Sequence, residues 1–229
     1  MTFGFGLGLP RGGNAAAGSP SFVANFANGS LPQGVTFSRG TTGTYYNSSG
    51  LLSTNENLYT YSNTLSNAAW NKQIVTVGST NNAAPDGTST AALIVPTTTS
   101  STHYFNQLPT LDINGRYTVS VYVKSGGYSW VSLECYDGTT FRYLFFNTAT
   151  GTLGTVASGL VTTVTNVGSG WYRISASMLV VNAGARYSFF ITTADNNLSN
   201  WSGDGVSGVY FWNIQLQNGT QVSAYNPTT

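Results

Sequence analysis

The sequence predicts an all-β protein: a two-sheet antiparallel sandwich of jelly-roll type, preceded by an extended N-terminal arm. Three observations carry that expectation. Residues that fill helix surfaces are almost absent, with Glu only at 56 and 134 and Lys only at 72 and 124. Thr, Ser, Asn, Gly, Val and Tyr dominate instead, a composition that suits strands and turns. Short apolar-alternating segments recur along the chain, separated by glycine-containing turn signals.

The arm comes first. In MTFGFGLGLPRGG, Phe3, Phe5, Leu7 and Leu9 alternate with Gly4, Gly6 and Gly8. Glycine at every second position makes a poor self-supporting strand or helix, because ordering it costs the most backbone entropy. The apolar side chains nevertheless share one face if the chain is extended. Residues 1–36 have no core of their own and read as a docking arm, with Phe22 and Phe26 as further apolar contacts along it. Residues 37–229 form the sandwich domain.

From 35 to 54 short strand-like pieces flank an NSSG turn, and the stretch near 64–70 reads as a short helix or a turn. Strands are expected at 73–78, 90–95, 102–108, 116–124, 128–136, 141–147, 159–167, 170–181, 185–193 and 207–217. Turns are expected at APDG (84–87), DING (112–115), KSGG (124–127), YDGT (136–139), ATGT (149–152) and VGSG (167–170). Two strands alternate cleanly. Tyr117, Val119, Val121 and Val123 oppose Thr118, Ser120, Tyr122 and Lys124, while Val131, Leu133 and Cys135 oppose Trp130, Ser132, Glu134 and Tyr136. Trp212 is expected to share a buried face with Tyr210, Ile214 and Leu216, and Trp70 and Trp201 read as core or rim residues.

Charged residues make up 7% of the chain and the formal net charge is +1, so no basic stripe exists to neutralise phosphates and nucleic-acid binding is not expected. The single cysteine, Cys135, excludes an internal disulfide and a cysteine metal cage. No apolar run approaches the ~20 residues of a membrane span. Met1 leads into apolar residues without a basic n-region, so the opening does not read as a secretory signal.

Catalytic patterns are weak. His103 is the only histidine, and no nucleophile motif accompanies it. Glu134 and Asp137 are the nearest approach to a glycosidase pair, but three residues apart on a strand they point to opposite faces unless the turn swings Asp137 round. No catalytic residue is assigned. The better candidate is an aromatic surface. Tyr122, Trp130, Tyr136, Trp171 and Phe190 all lie opposite the inferred core faces of their strands, with Lys124, Glu134 and Arg173 as hydrogen-bonding neighbours. Such rings stack on the apolar faces of sugars. They equally suit packing under a loop or against a second subunit.

Several segments, in their order along the chain, carry a family resemblance: FSRGTTGTYYNSSGLLST, ENLYTYSNTLSNAAWNK, APDGTSTA, YTVSVYVKSGG, VGSGWYRIS and GVYFWNIQLQNGTQVSAYNPTT. Over roughly residues 35–229 the sequence resembles tailed-bacteriophage virion proteins that carry a jelly roll similar to carbohydrate-binding modules. These are head-spike, head-decoration or tail-fibre components. The resemblance implies a non-enzymatic protein on the virion surface, made in the host cytoplasm, with phage capsid or tail proteins as partners. It also implies contact with host surface glycans as an alternative role, and a homo-oligomer, with a trimer the natural guess by analogy. Modules of this type often hold a structural calcium, which makes Asp86 and Asp204, both in glycine-containing turns, candidate oxygen ligands. No other cofactor is implied.

Overall fold

The computed structural model describes residues 44–46, 52–54, 57–80 and 82–229. The expected docking residues Phe3, Phe5, Leu7, Leu9, Phe22 and Phe26 lie outside the described residues. The strands are β1 (Thr44–Tyr46), β2 (Leu52–Thr54), β3 (Asn71–Gln73), β4 (Val75–Val77), β5 (Ala92–Pro96), β6 (His103–Gln107) and β7 (Arg116–Gly126). They continue with β8 (Trp130–Tyr136), β9 (Phe141–Asn147), β10 (Thr152–Val156), β11 (Val161–Gly168), β12 (Trp171–Leu179), β13 (Arg186–Thr192) and β14 (Gly208–Asn218). The described residues contain no helix.

Two six-stranded sheets face each other. The first has the order β10-β9-β8-β13-β6-β3 and the second β11-β12-β7-β14-β5-β4; β1 and β2 pair separately. Every strand pair is antiparallel. The core lies between the sheets and follows the period-two alternation of the sequence. Val119, Val121 and Val123 of β7 meet Val131, Leu133 and Cys135 of β8, Phe189 and Ile191 of β13, and Phe211 of β14. An aromatic knot fills one part of it. Trp70 sits 5.1 Å from Tyr59 and 5.7 Å from Phe105, and Phe105 stacks on Phe189 at 5.0 Å.

Several local expectations are decided or changed. The stretch expected as one strand at 73–78 is two, because Ile74 takes φ 55° and carries the chain from the first sheet to the second. A β-branched residue in that region is strained. Here the Ile74 carbonyl is held by the His103 ring, whose Nδ1 lies 2.6 Å away and whose Nε2 lies 2.9 Å from the Trp201 carbonyl.

The stretch near 64–70, expected as a short helix or a turn, is a run of turns, closed by Thr64 N to Tyr61 O, Asn67 N to Thr64 O and Trp70 N to Asn67 O. Thr152, expected in a turn, opens β10, a strand so exposed and glycine-interrupted that its alternation gives no signal.

The last change is in β14, where the register shifts between Trp212 and Gln215 and Asn213 has φ 50°. That bulge flips the strand. Val209 and Phe211 face the core before it and Ile214 and Leu216 after it, so Tyr210 and Trp212 lie on the opposite side from Ile214 and Leu216.

Candidate functional site

The sheet assignment divides the aromatic set that the sequence proposes. Trp130, Glu134, Tyr136 and Phe190 belong to the outer face of the first sheet, whereas Tyr122, Lys124, Trp171 and Arg173 belong to that of the second. They do not form one surface. The correction has a simple cause: strand alternation reports which side a residue takes, but not which sheet its strand joins.

On the second sheet the rings are packed away. Trp171 is 2% exposed and clusters with Trp212, Ala84 and Ala91, against Tyr122 and Tyr210. Ala84 and Ala91 come from the loop between β4 and β5, and the Trp212 indole donates to Thr90 Oγ1 at 2.9 Å. Arg173 donates to Ser120 Oγ at 3.0 Å and lies 5.2 Å from the Tyr122 ring centroid. Burial holds its guanidinium below the ordinary arginine value. Beside the aromatic cluster, the C-terminal segment is bound to β14. Gln215 bonds Ser223 and Ala224, and Asn226 N donates to Gln215 Oε1.

The first sheet presents a more open face, ordered in rows across the strands. One row runs Phe145, Ser132, Phe190, Tyr104, Gln73 from β9 to β3. The next runs Tyr143, Glu134, Ser188, Asn106, Asn71, and the third Phe141, Tyr136, Arg186. The middle row is one continuous hydrogen-bonded chain. Tyr143 donates to Glu134 Oε2 at 3.3 Å, Ser188 to Glu134 Oε1 at 3.1 Å, Asn106 to Ser188 at 3.1 Å and Asn71 to Asn106 at 3.3 Å. Arg186 Nε closes on Glu134 Oε1 at 3.3 Å. Burial first, and then the Glu134 charge, pushes the Tyr143 phenol up to about 12.

Around this chain stand the rings. Tyr104 stacks on Phe190 at 4.7 Å, Tyr136 stacks on Phe141 at 4.3 Å, and the Arg186 guanidinium lies 4.6 Å over Tyr136. Phe141 is 48% exposed, and Tyr104, Tyr136 and Tyr143 are half-buried. Exposed aromatic surface is therefore concentrated at Phe141 and Tyr136 on one side of the polar row, and on the other it is confined to Tyr104, since Phe145 and Phe190 are buried. Between β3, β6 and the start of β13 lies a groove of about 710 Å³, lined by Asn71, Gln73, Tyr104, Asn106, Pro109 and Arg186 among others. Of this face, the sequence points to Trp130, Glu134 and Tyr136, and to Phe190 as a ring of this kind. Tyr104, Asn106, Asn71, Phe141 and Tyr143 carry no such signal in the sequence, and only the strand pairing brings them beside those residues.

Trp130 lies at the far end of the face, opposite Thr192 and Asn147. The two carboxylates considered for acid–base chemistry are both occupied. Glu134 accepts three side chains, and Asp137 accepts Thr139 N, Thr139 Oγ1, Thr140 N and Arg142.

For Asp86 and Asp204, the structure shows turn chemistry. Asp86 Oδ1 accepts Thr88 N and Oγ1, and Asp204 Oδ1 accepts Val206 N and Ser207 N. Among the described residues no three His, Cys, Asp or Glu side chains cluster as a cation site.

No family model matches the sequence, and no curated protein matches it. Solved structures do resemble the chain in outline. One is the CBM22-1 xylan-binding domain of Xyn10C from Paenibacillus barcinonensis, at 13% identity and TM-score 0.43, covering 73% of this chain and 97% of that one. Another is a putative sugar binding protein from Bacteroides thetaiotaomicron, at 12% identity and TM-score 0.35, covering 72% and 94%. A third is the K1 cleaved adhesin domain of Lys-gingipain from Porphyromonas gingivalis, at 11% identity and TM-score 0.34, covering 68% and 93%. At this level the likeness is one of outline, and the reading of the face rests on its own residues.

Proposed function

We propose that this chain is a non-enzymatic surface protein of a phage virion whose sandwich binds a glycan through the outer face of the first sheet. The observation that carries the glycan reading is the juxtaposition of the open rings Tyr104, Tyr143 and Phe141 with the hydrogen-bonded row Asn71–Asn106–Ser188–Glu134–Tyr143. Rings supply apolar contact to sugar C–H faces, and amide side chains fixed by their neighbours offer hydroxyl partners at little cost in ordering. From β6 to β9 the face crosses three inter-strand steps, about 14 Å, which accommodates more than one sugar ring.

The virion setting is supported by the sequence resemblance, and the alternating apolar-glycine arm suits docking onto a capsid or tail protein. Of the two roles it implies, the face favours glycan contact over decoration alone. The homo-oligomeric assembly and the calcium at Asp86 or Asp204 belong to the same proposal by analogy.

Two experiments test it. Binding of the intact chain to host surface polysaccharides is expected to fall about 10-fold or more, equivalent to about 1.4 kcal/mol, in Tyr104→Ala and Tyr143→Ala variants that remain folded. Wild-type affinity in both variants would remove the face from the reading. Deleting residues 2–12 is expected to abolish incorporation into particles, and undiminished incorporation would refute the docking arm.

A further inference from the structure

Resting on that reading of the first sheet's outer face, we infer that the ligand is an uncharged polysaccharide, and that the face excludes uronate and sulfate-bearing chains. In the three rows described above, the only side chains charged at neutral pH are Glu134 and Arg186, and they are paired to each other at 3.3 Å. Arg186 is further committed to the rings of Tyr136 and Phe141, at 4.6 and 5.3 Å.

Lys72 also lines the groove, although its side chain alternates with those of Asn71 and Gln73 along β3. Its ammonium donates to the carbonyls of Leu65, Asn67 and Trp70 at 3.2, 2.9 and 2.8 Å, which accounts for all three protons. At the Trp130 end the nearby charge is an anion, Asp195, held by Thr155 N and Oγ1. A carboxylate or sulfate on the ligand would therefore find no unpaired cation. It could reach only the terminal guanidinium nitrogens of Arg186, whose charge Glu134 already offsets, and it would lie near the Glu134 charge, which the low exposure of that side chain leaves weakly screened. What the groove does offer is neutral: the amides of Asn71, Gln73 and Asn106, and ring faces.

The test is affinity electrophoresis and calorimetry of the intact chain with neutral polysaccharides (xylan, glucomannan, dextran) and acidic ones (polygalacturonate, alginate, heparin). At least one neutral chain is expected to bind, with affinity moving less than about 2-fold between roughly 50 and 500 mM salt, because no charge pair forms across the interface. Acidic chains are expected to bind at least about 10-fold more weakly.

Glu134→Gln, which frees Arg186, is expected to raise affinity for an acidic chain about 5-fold or more relative to the neutral one, with folding checked by circular dichroism. Preference of the wild type for acidic chains, weakening with salt, would overturn the inference and leave the glycan face standing. So would an acidic-to-neutral affinity ratio unchanged in folded Glu134→Gln. Binding to no polysaccharide at all would instead overturn the glycan reading itself, and the inference with it.

Discussion

The Ser188 hydroxyl donates to Glu134 Oε1 at 3.1 Å, across the β13–β8 pair and on the outer side of the sheet. Glu134 is nevertheless 6% exposed, because the rings around it stand taller than its own side chain. A carboxylate in that position must have its oxygens filled, and Ser188, Tyr143 and Arg186 fill them. Glu134→Ala is expected to destabilise the domain by about 2 kcal/mol, below the range for a fully buried pair because Arg186 retains some contact with water. Glu134→Gln, which keeps one acceptor oxygen for Ser188 and presents an amide N–H that the Tyr143 hydroxyl can accept, should cost about half as much. Urea titrations of the two variants measure the difference, and equal losses would mean that the charge, not the hydrogen bonding, sets the stability.

Trp171 and Tyr104 offer a contrast between packing and binding. Trp171 is 2% exposed among Trp212, Ala84 and Ala91, so Trp171→Ala is expected to lower stability by about 3 kcal/mol, as for other large-to-small core changes. Glycan affinity should be untouched at temperatures where the variant is folded. Tyr104→Ala, on the open face, should reverse the pattern: stability within about 1 kcal/mol of wild type and glycan affinity reduced. Thermal melts read alongside affinity gels separate the two, and loss of binding in folded Trp171→Ala would move the site to the second sheet.

These two residues also show what the sequence could and could not disclose. The alternation in YTVSVYVK and SWVSLECY is local, and the structure follows it: Val119, Val121 and Val123 and Val131, Leu133 and Cys135 all face the core. Sheet membership is long-range. Nothing within β8 or β12 says that Glu134 will lie beside Ser188, or that Trp171 will lie beneath a loop from 82–91, since those contacts join segments far apart in the chain. Irregular backbone hides equally well. Ile74 and Asn213, both at positive φ, split or flip strands that read as continuous, and neither is a glycine that would have announced the break. The candidate face was legible only in pieces, through Glu134, Tyr136 and Phe190. Its partners Tyr104, Asn106 and Tyr143 acquire meaning once β6, β13, β8 and β9 are set side by side.

Alkaline titration should report the Tyr143–Glu134 contact. The folded-state phenol is pushed up to about 12, above its ordinary value of 10.0, by burial and then by the Glu134 charge. A group whose folded value is raised binds its proton more tightly in the native state. Its contribution is therefore complete below pH about 10 and declines as pH rises toward about 12. Tyr143→Phe, which cannot ionise, is expected to flatten the fall in stability across that window. Denaturant midpoints at intervals through it make the measurement, and an unchanged slope would show that Tyr143 is not shifted. The buried phenols of Tyr59 and Tyr187 are raised in the same direction, so a residual slope should persist in the variant.

The acid limb has a different origin, in the turn that follows β8. Asp137 is buried, which by itself would raise its carboxyl. The donors from Arg142, Thr139 and Thr140 outweigh that and hold it well below the usual carboxylate range. The same turn brings Gly138 to φ 95°, so close to the Asn182 carbonyl that any side chain would collide with it. Asp137 O in turn accepts the amides of Val181 and Asn182, so the turn ties the end of β8 to the chain leaving β12. Because the folded value is depressed, the stabilisation is fully present above the unfolded value near pH 4 and is lost as pH falls through the lower folded value. Asp137→Asn keeps one acceptor oxygen but loses the ion pair. It is expected to cost about 3 kcal/mol at neutral pH, with the gap to wild type closing in strongly acid solution. Melting temperatures of both proteins from neutral to strongly acid pH decide the matter: a gap that stays constant to the acid end would show that the carboxylate's charge contributes nothing there.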